Sequence, residues 1–195
     1  MLIAGATFEL NELSNMRGYF AMGAEGISKS RNLGNLMRSA HAFGASWAFT
    51  VDAAYQEKER RQADTSCSEG SIPLYAFENL QQMILPKGCA LVGIELTDDA
   101  IDLPSFRHPR CAAYVLGPER ASLSSEMVER CDLIVKIPTK FCVNVAVAGA
   151  IVMYDRVKQL GAFPAPPISP YGKVEELPQH VHGQPILRRE GWTKK

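Results

Sequence analysis

An asparagine, a glycine and an arginine lie close together near the start of the chain, at a spacing that suits a helix. Asn32 and Gly34 are followed by Arg38, four positions after the glycine. Gly34 and Arg38 therefore share one helical face. The planar guanidinium of Arg38 could bind a phosphate or a ribose hydroxyl through paired hydrogen bonds. An arginine on a helix surface is more often simply solvated, and this pattern alone leaves both interpretations open.

A second group, Gly117 to Glu119, follows directly after the apolar segment Ala112–Leu116. A residue without a Cβ atom lets a ligand approach the backbone closely. Gly-Pro is also a common turn dipeptide, so an ordinary turn explains the same residues. Glu119 could pair with Arg38, or it could be an ordinary surface acid.

A third group consists of Ile137 and Pro138, followed after a short interval by Cys142 to Val145. Asn144 precedes an apolar stretch that becomes charged only at residues 155–158. This pattern predicts a helix that Asn144 caps, that is buried along its first half and that ends near Leu160.

The elements that must position these groups alternate between strand and helix patterns. Tyr19–Gly23 reads as a strand, Leu33 to Phe43 repeats apolar residues at helical spacing, and Trp47–Val51 reads as the next strand. Such a strand-loop-helix-strand unit predicts parallel pairing, with Asn32 in the loop and Arg38 on the helix.

Further strands are predicted at Ala90–Leu96, Ala112–Leu116 and Leu133–Ile137, and the spacing of Phe77, Leu80 and Ile84 predicts one more helix. The fold class is therefore α/β with a parallel sheet. Ligands of such sheets bind at the carboxyl ends of the strands, where the polar groups after three of these strands converge.

The net charge is zero, because 21 basic and 21 acidic side chains cancel. A nucleic-acid-binding protein usually carries a basic surface, so the net charge argues mildly against RNA. Basic pairs nevertheless flank the motif segments, namely Lys29 with Arg31, Lys136 with Lys140, and Arg156 with Lys158. A scattered, solvated surface would give the same pattern, and charge alone favours that interpretation.

Length and composition favour one domain, since 195 residues with 46% apolar side chains can bury one sizeable core. The longest apolar stretch, Val143–Tyr154, is shorter than a bilayer requires, and no export signal is visible at the N-terminus. We therefore expect a soluble, cytoplasmic protein without a membrane partner. Six prolines after Leu160 predict a separate Pro-rich tail, residues 161–195.

Other chemistries find little support in the sequence. The five cysteines never form C-x-x-C, and His180 with His182 would make an incomplete site, so no metal is expected. The glycine patterns of dinucleotide and triphosphate sites are absent, as is the G-x-S-x-G elbow of serine hydrolases.

In order and spacing, the three groups resemble the signature motifs of the TrmH/SpoU family of SPOUT RNA methyltransferases. The first matches N-x-G-x-x-x-R before a helix that is rich in small residues and ends in Phe-Gly. The second resembles G-x-E-x-x-G-L-S, with Ser122 in place of the second glycine. The third resembles I-P followed by S-L-N-V, with Cys142 and Val143 substituting and a shortened interval. The resemblance covers about residues 18–160.

This resemblance implies a SPOUT fold with a C-terminal trefoil knot, as a single domain of residues 1–160 that forms homodimers. It also implies transfer of a methyl group from S-adenosyl-L-methionine to a ribose 2′-oxygen of tRNA or rRNA. A noncatalytic RNA-binding homologue and a base-methylating relative remain as alternatives, because Ser122 and Cys142 depart from the motifs.

The same resemblance assigns roles to individual positions. The cofactor pocket would be lined, mainly through backbone groups, by Leu96, Leu116, Gly117, Ile137, Cys142 and Val143. The catalytic side would be formed by Arg38, Asn32, Glu119 and Asn144. For Arg38 we expect phosphate binding and a lowered hydroxyl pKa, because a guanidinium stays protonated and is a poor base.

Overall fold

A computed structural model describes residues 18–54 and 72–160. These residues form a sheet of seven parallel strands: β1 (Tyr19–Glu25), β2 (Trp47–Val51), β3 (Leu74–Phe77), β4 (Ala90–Ile94), β5 (Ile101–Asp102), β6 (Cys111–Leu116) and β7 (Leu133–Lys136). Their order in the sheet is β3-β2-β1-β6-β4-β7-β5. The predicted parallel α/β architecture is confirmed, and β6, β4 and β7 lie side by side.

Within the described residues three α-helices pack on this sheet: α1 (Ser30–Ala42), α2 (Ser125–Arg130) and α3 (Val145–Leu160). Helices α1 and α3 lie against each other, and a Cβ atom on Gly149 of α3 would overlap with Leu36 Cδ1 of α1. Glycine therefore allows the close approach of these helices. No helix within the described residues combines the length and apolarity that a membrane span requires.

The core lies on both faces of the sheet, because alternate strand residues point to opposite sides. Phe20 and Tyr114 belong to the buried cluster that also contains residues of α1 and α3. Phe49 and Val115 belong to the other cluster, together with Met127 of α2. Strands covered on both faces explain why their sequences are continuously apolar.

The sequence predicts that the charged end of α3 is solvated, and for Arg156 this prediction is wrong. The side chain of Arg156 is buried. Its guanidinium donates to the carbonyls of Pro109, Tyr19 and Arg110 and to the Tyr114 hydroxyl. The arginine thus satisfies backbone carbonyls at the amino ends of β1 and β6. It is a structural residue of the core and no part of an RNA-binding surface.

His108 completes this buried polar cluster. Its Nδ1 lies 2.7 Å from the Tyr114 hydroxyl, and its Nε2 lies 3.0 Å from Asp155 Oδ2. Burial raises the pKa of Tyr114 to about 12, although Arg156 opposes the rise, so the phenol keeps its proton. We assign the neutral His108 tautomer with its proton on Nε2, facing Asp155; the Tyr114 hydroxyl then accepts from Arg156 and donates to Nδ1. Burial also lowers the pKa of His108, against the opposing effect of Asp155.

The structure corrects one predicted helix. Leu74–Phe77 is the edge strand β3, and Leu80–Gln82 is only a single 3₁₀ turn. Helix α2 and the short strand β5 were not predicted. The predicted tail, residues 161–195, lies outside the described residues.

Candidate active site

A cavity of about 560 Å³ opens at the carboxyl ends of β4, β6 and β7, the three adjacent strands of the sheet. The six residues predicted to line a cofactor pocket all border it: Leu96, Leu116, Gly117, Ile137, Cys142 and Val143. Ile94, Val145 and Ala148 extend its apolar wall. The size and lining suit a nucleoside-sized ligand.

Two glutamates at strand ends hold the loop that follows β6. Glu25, the last residue of β1, accepts bonds from the amide and hydroxyl of Ser124 at 2.8 and 2.6 Å. Glu95, directly after β4, accepts from the amides of Leu96 and Leu123, both at 2.8 Å. Ser124 also accepts from Met127 N, so it caps α2. The two carboxylates therefore fix the loop of the second motif, residues 117–124, against the sheet.

Gly117 allows this loop to fold back on itself. A Cβ atom here would stand 2.9 Å from Leu123 N and 3.1 Å from the carbonyl carbon of Ser122. Both neighbours are backbone atoms that cannot rotate away. The close approach that the glycine permits is thus within the loop itself, which shapes one wall of the cavity.

Glu119, Asn32 and Asn144, one residue from each motif, are joined by hydrogen bonds. Asn32 Nδ2 donates to Glu119 Oε1 at 3.0 Å, and Asn144 Nδ2 donates to Asn32 Oδ1 at 3.1 Å. Asn144 Oδ1 in turn accepts from the amide of Ala146 at 2.9 Å, which confirms the predicted cap of α3. We call this set of bonds the motif relay. It connects the carboxyl edge of the sheet with the starts of α1 and α3.

The carboxylate of Glu119 also holds the loop between β1 and α1. Oε2 accepts from the amide and hydroxyl of Ser28 at 3.1 and 2.9 Å, and Oε1 accepts from the amide of Lys29 at 2.9 Å. Partial burial alone would raise the pKa of Glu119, but the bonds from Ser28 and Asn32 outweigh this effect and lower it to about 2. Glu119 is therefore ionised, with both oxygens committed to the segment that carries the first motif.

Arg38 is exposed and lines a neighbouring groove of about 520 Å³ between α1 and α3. Asn35, Tyr154 and Asn144 also line this groove. Asn144 borders the groove and the cavity alike, so it is the shared wall between them. The structure thus brings Asn32, Glu119 and Asn144 together around the cavity and places Arg38 on the adjoining surface.

Glu25 and Glu95 belong to the site although neither lies in one of the three motifs. Glu25 is the last residue of the buried strand β1, and Glu95 directly follows the buried strand β4. An acidic residue at the carboxyl end of an apolar strand is the signal in the sequence that could have revealed them. Within residues 18–54 and 72–160, no group of three or more His, Cys, Asp or Glu side chains is placed to hold a metal ion.

Residues 20–154 match the model of the SpoU rRNA Methylase family. Over 142 residues the chain is 29% identical to the mouse tRNA (guanosine(18)-2'-O)-methyltransferase TARBP1, an alignment that covers 68% of this chain and 9% of the mouse protein. Over 155 residues it is 31% identical to the 23S rRNA (guanosine-2'-O-)-methyltransferase RlmB of Coxiella burnetii, covering 73% of this chain and 59% of that protein. The chain thus matches less than two thirds of the length of either relative.

The fold is similar to the crystal structure of the SpoU methyltransferase AviRb from Streptomyces viridochromogenes in complex with the cofactor AdoMet. The TM-score is 0.64 at 24% identity, and the match covers 77% of this chain and 64% of the other. The family match spans the seven strands, except for the first residue of β1, and most of the three helices described above, together with the cavity and the motif relay. The chain belongs to the SpoU rRNA Methylase family.

Proposed function

We propose that this protein is an RNA methyltransferase that uses S-adenosyl-L-methionine to methylate a ribose 2′-oxygen of tRNA or rRNA. The observation that carries the proposal is the motif relay at the edge of the cavity, because it unites one residue from each of the three family motifs. The names of the mouse and Coxiella relatives support the 2′-oxygen as the acceptor.

The cavity fits the proposed cofactor. Apolar side chains such as Ile94, Leu116 and Ile137 offer contacts for a flat adenine, and the backbone around Gly117 supplies polar groups. S-adenosyl-L-methionine would supply an electrophilic methyl group on a positively charged sulfur. Ile94, Leu116, Gly117 and Ile137 would hold this group, and the ribose that takes up the methyl group would lose its hydroxyl proton to water or a phosphate.

The protein contributes mainly by positioning, since a ribose hydroxyl is a weak nucleophile that must approach the methyl group in line. Arg38 would bind an RNA phosphate beside the reacting ribose and lower the pKa of its hydroxyl. Asn144, as the shared wall, would keep the ribose next to the cavity. Glu119 and Asn32 would act through the motif relay as positioning residues, because their polar atoms are engaged with protein groups.

A homodimer forms part of the proposal. Val147, Ala150, Ile151 and Tyr154 follow one another at helical spacing along α3 and border the groove of Arg38. Val147 and Tyr154 are 49% and 61% exposed, which is unusual for a stripe of apolar residues. A second copy of the chain covering this stripe would bury it and bring its own residues to Arg38.

The remaining family features are proposed on the same basis. We infer a trefoil knot in the segment from β6 to α3, within a single methyltransferase domain of residues 1–160 that precedes the Pro-rich tail. Family membership and the interleaved strand order support the knot. The cytoplasm is the proposed compartment, because both the RNA and the methyl donor would be available there.

Incubation with radiolabelled S-adenosyl-L-methionine and unmodified tRNA or rRNA pools tests the proposal. After digestion to nucleosides, label should appear in a 2′-O-methylnucleoside. Label in a modified base would mean that the protein methylates a base and not the ribose. Absence of label together with absence of cofactor binding in calorimetry would refute the enzymatic function.

A further inference from the structure

Phe141 is 78% exposed, yet it stands in the loop of the third motif beside the cavity. Its neighbours Thr139 and Cys142 both line the cavity, so the aromatic ring is attached to the rim of the proposed cofactor site. A ring of this size on the surface leaves a large apolar area in contact with water. Its place at the rim distinguishes it from apolar residues scattered singly over the surface.

The loop that carries Phe141 is held by its own hydrogen bonds. The Thr139 hydroxyl lies 2.9 Å from the Phe141 carbonyl and 3.4 Å from the Ile137 carbonyl. The amide of Thr139 donates to the same Ile137 carbonyl at 2.8 Å. These bonds restrain the backbone from the carbonyl of Ile137 to the carbonyl of Phe141, so a defined turn carries the ring.

The charges around the rim favour an anionic ligand. Lys29 and Arg120 line the cavity with exposed side chains, and Lys140, also exposed, directly precedes Phe141. The carboxylates of Glu95 and Glu119 also border the cavity, but their oxygens accept hydrogen bonds from backbone amides. An approaching polyanion therefore meets cations on the surface, while the acids are turned toward the protein.

From this arrangement we propose that Phe141 is a stacking platform for a nucleobase of the RNA substrate, with Lys140 binding the adjacent phosphate. Aromatic rings stack on bases whose faces are accessible, and those bases belong to single-stranded loops, bulges and ends. The substrate class is accordingly an RNA whose reactive region is unpaired. This inference rests on the proposed function and adds a residue that the family motifs do not contain.

Two substitutions separate stacking from simple apolar contact. Phe141→Leu keeps an apolar side chain and removes the aromatic ring, whereas Phe141→Trp keeps a ring. With the RNA pool that the wild-type protein labels, Phe141→Leu should raise KM for RNA roughly tenfold to a hundredfold, as expected for one lost stacking contact. Phe141→Trp should restore KM to near the wild-type value. Cofactor affinity, measured by calorimetry, should be the same in all three proteins.

The tryptophan variant also reports stacking directly, without turnover. Its extra fluorescence, relative to the wild-type protein with its two native tryptophans, should be quenched by a 12-nucleotide oligoadenylate and much less by the same strand paired with oligouridylate. Equal quenching by strand and duplex, or none, would overturn the inference even if the enzyme is active. A dimer that dissociates in Phe141→Leu would also overturn it, because the ring would then belong to a protein interface. Absence of methyl transfer by the wild-type protein would instead count against the proposed function.

Discussion

Glu119→Gln should destabilise the protein in a way that depends on pH. Both oxygens of Glu119 accept hydrogen bonds from the segment around Ser28 and Asn32. Glutamine replaces one oxygen with an NH₂ group, which would face donors instead of accepting from them. The substitution therefore removes the charge and at least one hydrogen bond from a backbone amide, while the size of the side chain is preserved.

The magnitude follows from the pKa of Glu119, which the fold lowers from the ordinary 4.5 to about 2. At about 1.36 kcal/mol per pKa unit, this difference sets an upper limit of roughly 3 kcal/mol on the stabilisation by the charged form. Glu119 is only partly buried, and solvent screening reduces the expected loss in free energy of unfolding to about 1–2 kcal/mol. Because the folded-state pKa is depressed, this contribution is complete above pH 4.5 and is lost as the pH falls toward 2.

Urea unfolding of the wild-type protein and of Glu119→Gln at several values between pH 3 and pH 7 measures the effect. The difference between the two proteins should be largest near neutral pH and should shrink on acidification. Glu129→Gln, which neutralises an exposed acid on α2, is the matched control and should change the free energy of unfolding by less than about 0.5 kcal/mol. A difference for Glu119→Gln that stays constant with pH, or that equals the control, would refute the reasoning.

Four further predictions concern the site and the core. Arg38→Ala should abolish methyl transfer in the radiolabel assay and leave cofactor affinity in calorimetry nearly unchanged; preserved turnover would remove Arg38 from the mechanism. Gly117→Ala should weaken cofactor binding about tenfold, because its Cβ would meet the backbone of Leu123 at 2.9 Å; unchanged calorimetric affinity would show that the loop can yield. Tyr154→Glu should convert a dimer into monomers in analytical ultracentrifugation, and a dimer that persists would place the interface elsewhere. Arg156→Lys should lower the free energy of unfolding, measured in urea, by about 2–4 kcal/mol, because one ammonium cannot replace all the hydrogen bonds of the buried guanidinium. A loss below about 1 kcal/mol would mean that water satisfies the backbone carbonyls that Arg156 binds.

Where local pattern and tertiary packing agree, the sequence predicted the fold well. The strand Trp47–Val51 was predicted with its observed bounds, since an apolar run ends there between turn residues. The spacing of Phe77 and Leu80 fits a helical period and predicts a helix, but Leu74–Phe77 instead pairs with β2 as an edge strand of the sheet. Pairing with a distant strand is invisible in a short window of sequence.

The candidate site was predicted by residue type but not by arrangement. Asn32, Glu119 and Asn144 were singled out from their motifs, yet the hydrogen bonds that join them depend on how distant segments meet. Glu25 and Glu95 were missed because single acids after strands are common and only the fold turns them toward the loop of the second motif. The proposed catalytic role of Arg38 stays a prediction, as does its action with groups of a second chain.

The motif relay has a consequence for the order of folding. Its two bonds between side chains close chain separations of 87 and 112 residues, and β1 pairs with β6 at a separation between these two values. Closing such loops costs chain entropy before any contact compensates for it, and topologies dominated by distant contacts fold slowly. Because the first motif lies 87 and 112 residues before its two partners in the sequence, it leaves the ribosome long before those partners are synthesised. We expect the site to assemble only after the segment that contains Asn144 has emerged, so that an incomplete chain offers no competent surface to RNA.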